Sequence, residues 1–298
     1  MPVISVVVPV YNRSEVLKRT LESLNQQTYR NFEVIVCDDG STEDIPAAIA
    51  ASNVVAPLRY LRIPNSGGPA RPRNRAVEVA QCEWIALLDS DDCWDANRLE
   101  IVSSELQDDV DLIYHQLRVK HASADTAWAE KRSHIGEALQ VNPLRHLALW
   151  GNPIPNSSVV VRKQTLLNVG GFCESPPTIE DFDAWLRIAE AGGQFKFLNS
   201  VLGTYWVGGD GISTFNQAQI DFLDALFLRH VQCFDEAYRQ QAWACHSYRI
   251  GAMYLQLGEN LPAAYRHLLQ ARGLPTASLR AKRFVKLCQL LWRGAVMS

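Results

Sequence analysis

Four short runs rich in β-branched and other apolar residues, each followed by a polar cluster, most constrain what the first hundred residues can fold into. They are Val3 to Val8, Glu33 to Cys37, Leu58 to Ile63 and Trp84 to Leu88. Continuous apolar runs of this kind suit strands buried on both faces of a parallel sheet. Amphipathic segments separate them: Ser14 precedes Leu17, Leu21 and Leu24 at helical spacing, and Ala70 to Ala80 follows the Gly67-Gly68-Pro69 break. A further helix is expected from Asn97 to Leu106, and Ser41 or Thr42 is expected to cap the one after Gly40. Alternating strands and helices predict an α/β domain.

In open α/β sheets the ligand crevice lies beyond the carboxyl ends of the strands. Pro9-Val10-Tyr11, Asp38-Asp39 and Asp89-Ser90-Asp91-Asp92 should therefore converge on one cleft. The acids Asp89, Asp91, Asp92 and Asp95 fall within seven positions, and their mutual repulsion needs an answer. A divalent cation supplies one, because magnesium and manganese take hard oxygen ligands and complete their shells with water and substrate phosphate. The ordinary alternative is a solvated loop capping the next helix. Asp38-Asp39-Gly40-Ser41 alone would read as a turn, but two acidic strand ends in one sheet favour a site.

Length and composition narrow the classes. With 298 residues, 47% of them hydrophobic, the chain can bury one large core and a smaller appended one. A net charge of -3 argues against nucleic-acid binding. The seven cysteines are scattered with no C-x-x-C pair, which suggests neither a disulfide framework nor a zinc site and fits a cytoplasmic protein. No signal peptide is expected from the amino terminus, and no apolar run reaches eighteen residues.

Four motifs occur in order: Pro9-Val10-Tyr11-Asn12, Asp38-Asp39-Gly40-Ser41-Thr42, Asn65-x-Gly67-Gly68-x-Ala70-x-x-x-Asn74 and Asp89-Ser90-Asp91-Asp92. In that combination the sequence resembles family 2 glycosyltransferases over roughly residues 3 to 215. The resemblance implies an inverting enzyme with a GT-A fold: a mixed nucleotide-binding sheet flanked by helices. Its nucleotide half would span about residues 1–110 and its acceptor half 111–215, with 216–298 a helical C-terminal extension. It also implies a nucleoside diphosphate sugar donor, usually UDP-linked, a glycan or lipid-linked glycan acceptor, and Mn2+ or Mg2+. Pro9 and Tyr11 would line the base pocket, Asp39 would bond the base, and Asp38 would lie beside it. Asp89, with Ser90 next to it, would reach the ribose, and Asp91 would bind the metal. Asp92 is a weaker candidate. Gly67 would let the backbone approach the nucleotide, with Arg71 or Arg73 supplying charge to the diphosphate. Pro72 between those arginines departs from the family pattern.

In the second half, Glu180-Asp181-Phe182-Asp183 opens an amphipathic helix. Acids in a first turn ordinarily complement the helix dipole. The resemblance gives the pair another meaning and makes Asp181 the general base. A Tyr-Arg pair found in many relatives is missing, replaced by Tyr205-Trp206 before a glycine-rich stretch, so another residue must hold the diphosphate or Trp206 must face a sugar. Beyond residue 216 three helices are expected, Ile220 to Phe234, Tyr238 to Leu257 and Pro262 to Ala271. After Glu259 no acid appears, while seven Lys and Arg residues do, interleaved near the end with Phe284, Leu287, Leu290, Leu291 and Trp292. That basic amphipathic segment suits peripheral contact with an anionic membrane at the inner face of the cell, or a helix packed on its own domain. Three rivals stand beside this reading. A nucleotidyltransferase would need a richer glycine-lysine loop at the first strand, a dinucleotide dehydrogenase a G-x-G-x-x-G, and a non-catalytic homologue no turnover.

Overall fold

The computed structural model describes residues 3–121, 131–132, 138–175, 179–207, 216–258 and 260–292. The expected loop from Ser123 to Gly136 falls largely outside them, as does the glycine-rich stretch from Gly208. In chain order the elements are β1 (Ile4–Val10), α1 (Ser14–Asn25), β2 (Phe32–Asp38), α2 (Ile45–Ala51), β3 (Leu58–Arg62), α3 (Ala70–Val79), β4 (Trp84–Leu87), β5 (Cys93–Trp94) and α4 (Arg98–Ser103). Then come β6 (Leu112–His121), β7 (Lys131–Arg132), α5 (Ala138–Val141), α6 (Pro143–Trp150), β8 (Val160–Arg162), α7 (Lys163–Asn168), α8 (Glu180–Glu190) and β9 (Phe195–Val207). The last four helices are α9 (Gln217–His230), α10 (Glu236–Leu257), α11 (Leu261–Gln270) and α12 (Ala277–Trp292). The chain forms two compact units, Met1–Pro143 with Asn152–Ile212 and Leu144–Gly151 with Ser213–Ser298.

The first unit is a mixed α/β sheet flanked by helices, as the sequence predicts. Its strands run in the order β3-β2-β1-β4-β8-β6-β9-β5, with β7 paired to β6. The β3-β2-β1-β4 half is parallel, and β8 enters antiparallel between β4 and β6. Every residue of β1 and β2 is buried, so the sheet is covered on both faces. Each fully buried Val or Ile there contributes roughly 1.5–3 kcal/mol relative to exposure. Two polar residues inside these strands, Ser5 and Glu33, answer each other. Ser5 pairs in register with Glu33, and its hydroxyl donates to the Glu33 carboxylate at 2.6 Å. That carboxylate also accepts the Gln81 amide at 2.7 Å, which ties the turn before β4 to the sheet.

Some local expectations change. The cap of α2 is Asp44, whose carboxylate accepts the Ala47 amide, because Ser41 and Thr42 are drawn elsewhere: the Ser41 amide donates to Asp38 and the Thr42 amide to Asn12. Helix α4 stops short of Leu106, since the hydroxyls of Ser103 and Ser104 donate back to the carbonyls of Glu100 and Ile101.

The second unit is helical. Its core joins Ile220 of α9, Ile250, Met253 and Tyr254 of α10, Ala264 and Leu268 of α11, and Leu290 of α12. Asn216 forms a capping box with Gln219 at the start of α9, and Asp235 caps α10. No disulfide is formed. Among the described residues no helix is long and apolar enough to cross a membrane.

Candidate active site

The carboxyl ends of β1, β2 and β4 do converge. Val10 stands in register with Asp38, the Asp39 amide donates to the Val10 carbonyl at 2.9 Å, and the Leu88 amide donates to Val7 at 3.0 Å. Pro9 is buried at the end of β1, whereas Tyr11 beyond it is about half exposed, at 48%. Asn12 adopts a left-handed backbone (φ 49°) and clips the two loops together by accepting the Thr42 amide at 2.7 Å.

The paired aspartates after β2 divide their work. Asp38 is fully buried and accepts the Ser41 amide at 2.8 Å and the Tyr60 hydroxyl at 2.7 Å, so it braces the loop. Asp39 accepts both the amide and the hydroxyl of Ser66. Burial pushes its carboxyl above the usual range, against the Ser66 and Gly67 donors and the Arg71 charge. Gly40, at φ +76°, has no room for a side chain: a Cβ there would lie 2.7 Å from the Asn65 amide nitrogen. Gly67, at φ +80°, has open space around it, so its left-handed backbone is what favours glycine.

After β4, three of the four acids pair with separate arginines and the fourth does not. Asp89 pairs with Arg73 at 2.5 Å, and Asp91 pairs with Arg13 at 2.5 Å. Asp92 pairs with no cation among the described residues. It is fully buried, accepting the Ser157 hydroxyl at 2.5 Å and the Trp206 amide at 3.0 Å. Burial, and then the charge of Asp89, hold the carboxyls of Asp91 and Asp92 above the ordinary carboxylate range. Ser90 is buried, and its carbonyl accepts the Thr20 hydroxyl. Asp95 leaves the cluster for a bidentate pair with Arg118 at 2.8 and 2.7 Å.

The acids at the start of α8 are joined to this cluster through Arg73. Its guanidinium, 3% exposed, bridges Asp89 and Glu180 and lies over the Phe172 ring. Their two charges outweigh its burial and make it a stronger base than usual. Asp183 is taken by Arg187 one turn on. Asp181 has no direct ion pair among the described residues: it accepts the Asn152 side-chain amide at 2.9 Å and the Phe182 backbone amide at 2.7 Å. Burial, with the Glu180 charge beside it, pushes its carboxyl up to about 7. Ile179, the β-branched residue before the helix, sits at φ 68°, a strained entry for such a side chain.

Residues 5–169 match the Glycosyl transferase family 2 profile. The chain belongs to that family. Relatives include the Escherichia coli UDP-Glc:alpha-D-GlcNAc-diphosphoundecaprenol beta-1,3-glucosyltransferase WfgD, 29% identical over 188 residues, 62% of this chain and 69% of that protein. The shared stretch covers only part of such relatives, 69% of that one and 14% of a glycosyltransferase of Rickettsia bellii. It covers 62% in a glycosyltransferase of Haemophilus influenzae. The fold resembles S. aureus TarS 1-349 in complex with UDP-GlcNAc, with a TM-score of 0.69, 21% identity and coverage of 99% of this chain and 92% of that one. It also resembles the mannosyltransferase PcManGT from Pyrobaculum calidifontis in complex with GDP-Man and Mn2+, with a TM-score of 0.61, 19% identity and coverage of 97% and 81%. The mixed sheet with flanking helices is thus of the GT-A type.

For this family 2 member, the fit of a divalent cation can be judged from the acids themselves. Among the described residues no three His, Cys, Asp or Glu side chains form a ready metal cage. Asp92 is spent on Ser157 and Trp206, which leaves Asp91 and Asp89. That set does not fit an ion held by protein alone. It fits an ion held by one or two carboxylates with phosphate and water completing the shell.

Three participants were not singled out from sequence. Asn152 gave no signal beyond its Asn-Pro-Ile-Pro-Asn segment, and Ser157 gave none. Arg13 directly follows the first motif, so its pairing with the acids after β4 could have been anticipated. Of the two arginines flanking Pro72, Arg73 turns inward to the acids, while Arg71 is half-buried and makes no ion pair among the described residues. Trp206 carries Arg19 over its ring at 4.2 Å, with the Lys120 amine 5.1 Å from the ring centre. Arg19 also donates to the Asp91 carbonyl, so positive charge borders the acidic loop without the Tyr-Arg pair.

Proposed function

We propose that the protein is an inverting glycosyltransferase that moves a sugar from a nucleoside diphosphate, UDP by preference, to a hydroxyl of a glycan or lipid-linked glycan. Asp181 is the general base. One observation carries this assignment: among the described residues, Asp181 is the one of the three acids opening α8 with no direct ion pair, and its proton affinity sits near neutrality. A base poised there takes the acceptor proton as the new bond to the anomeric carbon forms. Glu180, held by Arg73, positions its neighbour and ties the helix start to Asp89.

On the donor side, Pro9, Tyr11 and Asp39 bind the base, Gly67 and Arg71 border the nucleotide, and Asp89 and Ser90 lie toward the ribose. Asp38 braces the Asp39 loop. Asp91, with Asp89 beside it, would hold Mn2+ or Mg2+, which when bound offsets the charge growing on the departing diphosphate. Arg13 neutralises Asp91 otherwise, so donor binding exchanges one cation for another at that carboxylate. The likeness to structures with UDP-GlcNAc and with GDP-Man and Mn2+ supports this reading, as does a relative named for a diphosphoundecaprenol acceptor.

Calorimetric titration of UDP with and without manganese, in the wild type and in Asp91→Ala, tests the donor half. Manganese-dependent binding lost in Asp91→Ala is expected. Binding indifferent to both would remove the metal assignment. Hydrolysis or transfer of a UDP-sugar separates the enzyme from a non-catalytic homologue.

A further inference from the structure

Helix α12 has two apolar faces. At 3.6 residues per turn, Leu279, Leu287 and Leu290 fall on one side, and that side packs on the helical unit. The opposite side carries Ala281, Phe284, Val285, Cys288, Leu291 and Trp292 within an arc of about 120°. This second face is uncovered: Phe284 is 66% exposed, Val285 53%, Leu291 57% and Trp292 91%. A surface helix of a globular unit needs only the first face for stability. A contiguous apolar strip on its far side marks a surface that docks onto something.

Charge identifies the occupant. Lys282, exposed, flanks the strip on the Val285 side, and Arg280 borders its other edge with one guanidinium nitrogen donating to the Leu274 carbonyl; Lys286, half-buried, lies nearer Leu279 than the strip. Neither lysine makes an ion pair among the described residues. Arg283 is different, since its guanidinium donates to the Leu268 and Leu269 carbonyls and so caps α11 rather than facing outward. From Asn260 to Ser298 the sequence has no Asp or Glu to balance these cations. A second copy meeting this face about a two-fold axis would set lysine against lysine. An anionic bilayer offers apolar chains to the strip and negative headgroups to its edges. We infer that the exposed face of α12 docks on an anionic membrane surface, with Phe284, Val285, Leu291 and Trp292 entering the acyl boundary and Lys282 and Arg280 meeting the headgroups.

The inference goes beyond the proposed reaction and is read without donor or turnover. Full-length protein is sedimented with vesicles of phosphatidylglycerol and phosphatidylcholine, and with phosphatidylcholine alone. Binding to the anionic vesicles only is expected. Lys282→Ala should weaken it about fivefold, and Lys286→Ala, on the half-buried side of the helix, far less. Phe284→Ser with Trp292→Ser should weaken it by roughly tenfold or more. Lys282, Phe284 and Trp292 are exposed, so melting temperatures should hold on replacing them. A polarity-sensitive dye on Cys288, with the other exposed cysteine replaced as Cys233→Ser, should shift to the blue on anionic vesicles in the otherwise unchanged protein. Equal binding to both vesicle types, no binding, or binding indifferent to the substitutions would overturn the inference. So would a dimer that Phe284→Ser dissociates, found without vesicle binding, which would assign the face to a second copy.

Discussion

The acidic loop after β4 and the acidic first turn of α8 each hold three neighbouring carboxylates, and in each, one pairs with no cation among the described residues. In the loop that residue is Asp92; in the helix it is Asp181. The two are not equivalent. Asp92 is fully buried and anchored by donors from two distant segments, Ser157 and Trp206. Asp181 is only partly buried and is held by one side-chain amide and its own helix turn. A missing counterion therefore does not by itself mark a reactive group. Each carboxylate accepts one donor on each oxygen, so what separates a strut from a base is whether the acid keeps surface open to an acceptor hydroxyl.

The largest expected effect tests that separation. Asp181→Asn should lower turnover by about 10² to 10⁴, the range for a positioned general base, and leave UDP affinity unchanged. Steady-state kinetics with calorimetry checks both. Near-normal turnover would put Asp181 with Asp92 among the struts. Stability should move the other way. Because the folded-state carboxyl is raised to about 7, wild type loses stability as pH climbs from the unfolded value near 4 toward 7. The asparagine variant escapes that loss, so its advantage in melting temperature should grow over this window and then level off.

The bridge between the clusters comes next. Arg73→Leu leaves Asp89 and Glu180 without their shared cation in a poorly hydrated position, a loss of about 3–5 kcal/mol by analogy with broken buried pairs. Denaturant unfolding measures it. Smaller again is Asp92→Ala, which strands the Trp206 amide while the Ser157 hydroxyl keeps the Asp89 amide; about 1–3 kcal/mol is expected for the one group left unpaired. Turnover in Asp92→Ala, measured well below its melting temperature, should fall far less than in Asp181→Asn. Equal losses would erase the contrast.

How far these arrangements could be read from sequence follows the same physical line. Strands β1, β2 and β4 are buried along their whole length, so their apolar runs announce them. Strands β6 and β9 do not. β9 runs through Asn199, Ser200, Gly203 and Thr204, and its pairing with β6 shifts register around Gln116, so no continuous apolar run marks it. At the site, the acids stood out as types at strand and helix ends, and the convergence of three loops followed from topology. Their partners did not, because Arg73 and Glu180 lie 107 residues apart and Ser157 and Asp92 lie 65 apart. Which carboxylate is spent and which is available depends on those long-range contacts, and no local pattern encodes them.

The finest prediction concerns the one donor that reaches Asp181 from outside its helix. Asn152 donates to the carboxylate at 2.9 Å, which favours the ionised form against the burial and Glu180 charge that oppose it. The base works only when ionised, so kcat/KM should rise with pH through its titration in the wild type. Removing the amide in Asn152→Ala takes away support for the anion and raises the proton affinity further. The rising limb should therefore move to higher pH, with activity most reduced below neutrality and largely recovered in alkali. A purely structural role for Asn152 would lower the whole profile and leave its midpoint in place. A shift toward lower pH would mean that the limb reports some group other than Asp181, and the distinction between base and strut would have to be drawn at a different carboxylate.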